Sequence, residues 1–310
     1  MDVLIVSVGR DYANLSYVFQ KSLQEVGVDA LAIVKGSKRK ERAKVVVPQK
    51  FSRYYKDAKI IIFMHSIYQK DSQIKNKRLF VFHGGGRYRF NADRINRIFN
   101  PVVEKSLIQT GDLLGLGSKN EEWLLPAVDI ENLKPVYKRK KEKIVVGHFP
   151  SSTMVKGSKN INKAIKRLRK TFGDKFKYVF SSQVVPWDKQ IQRISKCDIY
   201  IEACKPKLRS KGQGRPHIYG EWGVSALEAA ALGKVVISHF LSYKRYEKEY
   251  GECAIKVANS VDEIESRLKE LLLLNNNEFL KTQKSTREWV EKYHSYKAVG
   301  ERLKKILYEI

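Results

Sequence analysis

The chain has 310 residues, which is long for one hydrophobic core and suits two domains of ordinary size. Hydrophobic residues make up 43% of the sequence, which excludes wholesale disorder, and no apolar run is long enough to predict a membrane span. The formal net charge of +27 favours partners such as nucleic acid, anionic lipid headgroups or phosphorylated substrates without choosing among them.

The positive charge is spread along the chain and is densest in three runs, at residues 35–44, 138–143 and 163–170. A lysine-rich solvated surface is an equally good interpretation of this pattern. Charge alone therefore leaves the partner open.

The three cysteines, Cys197, Cys204 and Cys253, form no CxxC pair and no cluster with histidine at zinc spacing. Neither a disulfide framework nor a metal site is predicted. The amino-terminal apolar stretch is too short for a signal peptide, so we expect a cytoplasmic protein.

The first part of the chain alternates apolar strands with an amphipathic helix. Residues 2–9 predict a buried strand, residues 14–27 a helix with an asparagine cap and a glycine stop, and residues 29–34 a second strand. Residues 58–66 and 78–86 are further apolar runs that end in polar or glycine-rich turns, as parallel strands do at their ligand-binding edge. This order predicts a βαβ unit that continues into a parallel sheet.

A break in the alternation follows at residues 131–143, which contain Pro135 and a burst of charge. We interpret this stretch as the linker between a first domain, 1–137, and a second domain, 138–289.

The alternation restarts after the linker, with strands and helices in turn predicted at 143–150, 160–173, 176–182, 187–197 and 198–203. Helices at 261–274 and 285–310 end the chain and contain no recognisable chemistry. Two parallel sheets in tandem predict an α/β protein with a cleft between two Rossmann-like domains.

The most informative segment is 217–238, where a glycine-bearing turn opens into an alanine-rich helix. A first turn with Gly223 and Ser225 offers unpaired backbone N–H groups and the positive end of the helix dipole, which favour a phosphate. Glu228 lies one turn after Val224, near the apolar side of the helix, where its carboxylate needs a partner. Ribose hydroxyls suit that role if the phosphate belongs to a nucleotide, whereas a carboxylate at the fringe of a buried helix is the alternative.

Three segments in this order, 145–165, 197–203 and 219–238, resemble the donor-binding domain of GT-B glycosyltransferases, particularly the retaining family 4 enzymes. Residues 124–135 resemble the segment that ends their first domain. The terminal helix, within 290–310, resembles the tail that crosses back onto that domain. The resemblance implies transfer of a hexose from a nucleoside diphosphate sugar to a hydroxyl acceptor, with retention of configuration.

Several donor-binding roles follow from the resemblance. Lys156 matches the family's lysine on the donor diphosphate, where an ammonium offsets the charge of the leaving group without a metal or cofactor. Glu228 matches the carboxylate on the donor ribose, and the backbone of Gly223, Val224 and Ser225 matches the contact to phosphate and sugar.

In the first domain, Gly9 matches the family's glycine loop, where a missing side chain allows close approach of substrate. His83 stands where many members keep a histidine facing the reacting centre, and we assign it to contact the transferred sugar. A histidine satisfied at the end of a strand is the alternative.

Two positions depart from the family pattern. The family's other glutamate would fall at Gly220, and the adjacent Glu221 is the candidate substitute for the sugar contact. His148 stands where an arginine often completes the cationic clamp on the donor. These departures leave the identity of the sugar open.

The acceptor side is predicted at residues 87–97, through Arg87 and Arg89. Arginines among aromatic residues suit a lipid-linked or otherwise phosphorylated acceptor glycan at an anionic membrane surface, and they also suit nucleic acid. A DNA-modifying glycosyltransferase is therefore a variant of the prediction. A noncatalytic GT-B-like protein that binds a polyanion is the alternative, and the glycine at position 220 motivates it.

Overall fold

The computed structural model describes residues 1–137, 143–205, 207–209, 216–218 and 220–309, with the backbone alone described at 207–209 and 216–218. The chain forms two compact units, Met1–Ala127 together with His294–Ile310, and Val128–Tyr293. The predicted basic run at 138–143 lies outside the described residues except for its last residue, and so does Tyr219. The domain boundary placed after residue 137 stays a prediction.

The first unit is built on a seven-stranded parallel sheet, in the order β3-β2-β1-β4-β5-β6-β7. Its strands are β1 (Val3–Val8), β2 (Ala30–Lys35), β3 (Lys44–Val46), β4 (Ile60–Phe63), β5 (Arg78–His83), β6 (Lys105–Ile108) and β7 (Glu121–Trp123). The helices that follow them include α1 (Leu15–Glu25), α2 (Ser52–Asp57) and α3 (Gly85–Phe99). The middle strands are buried on both faces, which explains their continuous apolar runs.

The second unit is built on a five-stranded parallel sheet, in the order β14-β13-β10-β8-β9, with a separate antiparallel pair β11-β12. Its strands are β8 (Ile144–His148), β9 (Phe176–Phe180), β10 (Ile199–Ala203), β11 (Lys207–Arg209), β12 (Pro216–Ile218), β13 (Val235–Ser238) and β14 (Lys256–Val257). Its helices are α4 (Ser158–Phe172), α5 (Trp187–Ser195), α6 (Val224–Ala231), α7 (Tyr243–Glu249), α8 (Val261–Leu273) and α9 (Asn276–His294). The prediction of two α/β units with parallel sheets is confirmed.

The prediction of one terminal helix over 285–310 is wrong, because the chain forms α9 and a separate helix α10 (Tyr296–Tyr308). Ser295 separates them in an extended conformation, and its hydroxyl accepts the N–H of Ala298 at 3.2 Å, which caps α10. The helix α10 belongs to the first unit and packs on α1. A Cβ at Gly300 would lie 2.0 Å from the carbonyl oxygen of Ser22, so this packing requires glycine.

No helix within the described ranges combines the length and the apolar character that crossing a membrane requires.

Each parallel sheet has one point where the order of its strands reverses. In the first unit this point lies between β1 and β4, and in the second unit it lies between β8 and β10. Ligands of open α/β sheets bind outside the carboxyl ends of the strands at such points. The fold therefore indicates two candidate positions for a ligand-binding site, one in each unit.

Candidate functional site

A cavity of about 190 Å³ lies at the reversal point of the second sheet. Loops after β8 and β9, strand β10 and helices α5 and α6 contribute its walls. The described residues that line it are Phe149, Pro150, Ser151, Lys156, Gln183, Val184, Val185, Gln190, Glu202 and Ser225. Helix α6 begins beside it with Gly223 as the N-cap.

Three groups that the sequence assigned to a phosphate meet at this cavity, and we call Lys156, Gly223 and Ser225 the cradle. All three contact the carboxylate of Glu202. The ammonium of Lys156 forms an ion pair with Oε1 of Glu202, and the N–H of Gly223 donates to the same oxygen at 3.1 Å. The hydroxyl of Ser225 donates to Oε2 at 2.6 Å. The predicted cradle is assembled, but the N–H of Gly223, expected to be unpaired, already has a partner.

Glu202 is buried, with 1% of its surface exposed. Burial alone would raise its pKa, but the Lys156 ammonium and the hydrogen bonds from Lys156, Ser225 and Gly223 together hold that pKa below its usual value. The carboxylate is therefore ionised at neutral pH. Glu202 was not predicted from the sequence, although an acidic residue inside the apolar strand β10 is the available signal.

Gly223 must stay small because of this arrangement. A Cβ there would lie 2.8 Å from Oε1 of Glu202 and 2.9 Å from Nζ of Lys156. Val224 follows as the first residue of α6. The absence of a side chain at Gly223 thus leaves room for Glu202 and Lys156 at the start of α6.

Glu228 lies on the next turn of α6, where Nε1 of Trp187 donates a hydrogen bond to its Oε1 at 2.6 Å. Burial raises the pKa of Glu228 to about 7, the hydrogen bond from Trp187 lowers it, and the charge of Glu202 raises it further. Trp187 begins α5 and keeps 44% of its surface exposed. Sequence spacing did not identify this pairing, because the two residues are far apart in the chain.

His148 ends β8 and is fully buried. Its Nδ1 lies 2.8 Å from the carbonyl oxygen of Ile201, which only accepts, so Nδ1 carries the proton. Its Nε2 lies 2.8 Å from the hydroxyl of Ser158 and accepts from it. Burial lowers the pKa of His148 to about 4, so the ring is neutral. Both nitrogens serve the protein's own groups, and a donor-binding role for His148 stays a prediction.

Glu221 is also buried, with 1% of its surface exposed, and lies two residues before the start of α6. It is not among the described residues that line the cavity. Its predicted sugar contact stays a prediction.

At the reversal point of the first sheet, Gly9 follows β1 with φ of +73°. A Cβ at this position would meet no atom within 4 Å. The backbone conformation favours glycine here, and the predicted close approach of substrate stays a prediction.

The carboxylate of Asp11 lies at the same edge and accepts the N–H groups of Ser16 at 2.9 Å and Tyr17 at 3.2 Å. Asp11, rather than the predicted asparagine at position 14, therefore caps α1 through its side chain. Nε2 of His65, just beyond β4, lies 3.6 Å from Oδ1 of Asp11. The sequence analysis did not identify His65, although it follows an apolar strand directly.

His83 ends β5 and is fully buried. Its ring stacks on Tyr88 with centroids 3.9 Å apart, and its Nδ1 lies 2.9 Å from the hydroxyl of Ser66. Burial lowers the pKa of His83 to about 3, so the imidazole is neutral. Nε2 has no hydrogen-bond partner among the described residues. A role for His83 at the reacting centre stays a prediction.

The two arginines predicted on the acceptor side differ in exposure. Arg87 is exposed, and its Nε donates to the carbonyl of Ser66 at 3.2 Å. Arg89 is buried and pairs with both carboxylate oxygens of Asp112, at 2.6 Å and 3.1 Å. This ion pair holds the guanidinium inside the first unit, and the acceptor-side role of Arg89 stays a prediction.

No protein-family model and no curated protein matches the sequence. Solved structures do match, over nearly the whole chain. HepE from Anabaena, in complex with UDP and glucose, has a TM-score of 0.64 and 12% identity over 100% of both chains. An alpha-glucosyltransferase in complex with UDP and a 13-mer DNA containing a HMU base has a TM-score of 0.66 and 11% identity, over 99% of this chain and 100% of that one.

Sucrose-phosphate synthase from Thermosynechococcus elongatus has a TM-score of 0.61 and 11% identity, over 100% of this chain and 98% of that one. At such identities the likeness shows the fold and not the activity. The predicted GT-B fold is confirmed by these matches.

Proposed function

We propose that the chain is a glycosyltransferase that transfers a hexose from a nucleoside diphosphate sugar to a hydroxyl acceptor. The observation that carries the proposal is the cradle of Lys156, Gly223 and Ser225 at the reversal point of the second sheet. Two solved proteins that share the fold over the whole chain hold UDP, and one of them holds glucose as well.

The cradle suits departure of a diphosphate. As the anomeric carbon–oxygen bond to the diphosphate breaks, negative charge grows on the leaving group. The acceptor oxygen forms the new bond to the anomeric carbon, and its proton passes to the departing diphosphate. The ammonium of Lys156 and the amino-terminal end of α6 stabilise that charge. Transfer without a metal and with retention of configuration are the finer parts of the proposal.

Glu228 is proposed to accept hydrogen bonds from the donor ribose. Trp187 donates a hydrogen bond to Oε1 of Glu228, which leaves Oε2 for the ribose hydroxyls. The raised pKa of Glu228, about 7, means that this contact depends on pH in the physiological range. Gln183 and Val184 line the cavity and are proposed to lie near the base of the nucleotide. The nucleotide screen identifies that base.

The first unit is proposed to hold the acceptor, through Gly9, His83 and Arg87. Its sheet edge is strongly basic: Arg10, Lys38, Arg39 and Lys40 are exposed and form no ion pair within the described residues. A phosphorylated, lipid-linked acceptor glycan at an anionic membrane surface fits this charge, for a cytoplasmic protein bound peripherally.

A DNA-modifying glycosyltransferase is the second candidate. The specific observation in its favour is that one of the matching structures, the alpha-glucosyltransferase, contains DNA. Cationic groups also lie over exposed rings at the basic edge, as Arg10 does over Tyr12 at 5.2 Å, which suits contact with bases and phosphates. Co-sedimentation with anionic liposomes and with duplex DNA, each at two salt concentrations, separates the two acceptors.

The donor site is tested by thermal-shift measurements with UDP, GDP, ADP and CMP, followed by titration calorimetry, because a ligand of the native state raises the melting temperature. Lys156→Ala and Glu228→Ala should each weaken binding of the selected nucleotide by about 1–3 kcal/mol. Lys163→Ala, an exposed lysine on α4, is the matched control and should not change it.

If the protein binds no nucleotide but binds a polyanion such as heparin, the result would contradict a glycosyltransferase. It would support a noncatalytic polyanion-binding protein instead. Detection of sugar transfer would exclude that alternative. A product of inverted configuration would contradict retention alone.

A further inference from the structure

The carboxylate of Glu202 contacts each of the three residues of the cradle. We infer that Glu202 competes with the donor diphosphate for the cradle and thereby lowers the affinity of the site for every phosphate-bearing ligand, so that only a ligand with further contacts binds tightly. This inference rests on the proposed function, since it concerns the same donor site.

The hydrogen bonds of the cradle make the competition direct. Ser225 has a single hydroxyl proton, and it is donated to Oε2 of Glu202. Gly223 has a single N–H, and it is donated to Oε1. Neither proton is available to a phosphate while Glu202 remains in place. A phosphate must therefore exchange with the carboxylate, not add to it.

The charges of the residues that line the cavity also indicate competition between Glu202 and a phosphate. Lys156 is the only cation among the described residues that line the cavity, and Glu202 is the only carboxylate among them. Because the two form an ion pair, the pair offers an incoming diphosphate no net positive charge. The cavity of about 190 Å³ adjoins both side chains, so an entering ligand reaches the pair directly.

Competition of this kind favours a ligand with contacts beyond the phosphates. Free pyrophosphate has only the cradle and must displace Glu202 through that contact alone. A nucleotide also contacts the Glu228 side of the site, and that binding energy offsets the displacement. Glu202 is thus proposed to hold the cradle assembled without ligand and to weaken the binding of ligands that contact the cradle alone.

The test is Glu202→Gln, which keeps the shape of the side chain and an oxygen for the N–H of Gly223 while removing the charge. Calorimetry at low salt measures UDP, pyrophosphate and uridine on the wild type and the variant. We expect the affinity for UDP and pyrophosphate to rise by about tenfold or more, because a like charge beside the phosphate is removed. The affinity for uridine, which has no phosphate, should stay unchanged.

Asp198→Asn is the matched control. Asp198 lies four residues earlier, immediately before β10, and is largely buried. Its carboxylate accepts the N–H of Val145 at 2.8 Å, outside the cradle. This variant should leave all three affinities unchanged. A merely structural role for Glu202 predicts weaker binding in Glu202→Gln, so the sign of the change decides.

If Glu202→Gln does not fold, Glu202→Asp withdraws the carboxylate by one carbon and should raise the affinity for UDP by a smaller factor. Unchanged or weaker UDP binding in the folded variant, with UDP bound by the wild type, overturns the competition and leaves the proposed function standing. Failure of both the wild type and the variant to bind pyrophosphate or any nucleotide of the thermal-shift screen overturns both proposals.

Discussion

The helices α1 and α6 begin in similar surroundings, each beside the reversal point of its own parallel sheet. In both, a buried carboxylate accepts hydrogen bonds from groups at the helix start. Asp11 accepts from the backbone of Ser16 and Tyr17, and Glu202 accepts from Gly223 and the hydroxyl of Ser225. Both carboxylates thus accept from a backbone N–H at the start of a helix, two such groups at α1 and one at α6.

They differ in the origin of the carboxylate and in what surrounds it. Asp11 lies five residues before Ser16, in the turn that leads into α1, and its near neighbour is Nε2 of His65 at 3.6 Å. Glu202 comes from a different element, strand β10, and faces the flexible side chain of Lys156 and a cavity. Under the competition proposed above, the cation and the open volume make the carboxylate at α6 exchangeable, whereas within the described residues the carboxylate at α1 has neither.

The largest effect should come from removing the cation in the second region. Lys156→Met leaves the buried carboxylate of Glu202 without its counter-ion, and we expect the free energy of unfolding of the second unit to fall by about 3 kcal/mol. Urea denaturation followed by tryptophan fluorescence measures it, since Trp187, Trp222 and Trp289 belong to that unit.

Adding Glu202→Gln to Lys156→Met removes the stranded charge and should restore most of the lost stability. A double variant as unstable as Lys156→Met would mean that lost packing, and not charge, is the cause. The carboxylates at the starts of α1 and α6 would then not differ in their need for a counter-ion.

A smaller effect is expected in the first region. Asp11→Ala removes a cap with two backbone hydrogen bonds and should lower the free energy of unfolding by about 1–2 kcal/mol, whereas Asp11→Asn, which keeps one acceptor oxygen, should cost less. Chemical denaturation measures both variants. Binding of UDP by Asp11→Ala should match the wild type. Loss of UDP binding in this variant would show that Asp11 is part of a site and would remove the distinction between the two caps.

The sequence predicted what depends on local periodicity. The strands β1, β2, β8 and β10 follow from their apolar runs, and the end of α6 follows from Gly233, whose φ is +70°. The helix α3 was not predicted, because Gly85 and Gly86 open it and polar residues interrupt its apolar pattern.

The site was predicted only in part for a different reason. Resemblance grouped Lys156, Gly223 and Ser225, and the structure brings them together, but their common partner Glu202 is 46 residues from Lys156 and 23 residues from Ser225. No spacing rule connects positions so far apart, since the packing of β10 between β8 and β13 is what brings them together. The burial of Arg89 has the same origin, because Asp112 lies 23 residues away.

The smallest effect concerns the fifth residue of each helix, which is Phe19 in α1 and Glu228 in α6. Phe19 is fully buried and does not titrate, whereas the pKa of Glu228 is raised from 4.5 to about 7. A raised carboxyl pKa contributes stability that is complete below the unfolded value and is lost as pH rises through the folded value. Relative to Glu228→Gln, the wild type should therefore lose on the order of 1 kcal/mol between pH 5 and pH 8, since the carboxylate is partly exposed to water.

Calorimetric melting temperatures of the two proteins across this range measure the difference. Trp187→Phe sharpens the test, because loss of the indole N–H removes a hydrogen bond that lowers the pKa of Glu228 and should move the transition to higher pH. A difference between the wild type and Glu228→Gln that does not vary with pH would show that the carboxylate is fully hydrated. Helix α6 would then lack the titrating group that distinguishes it from α1.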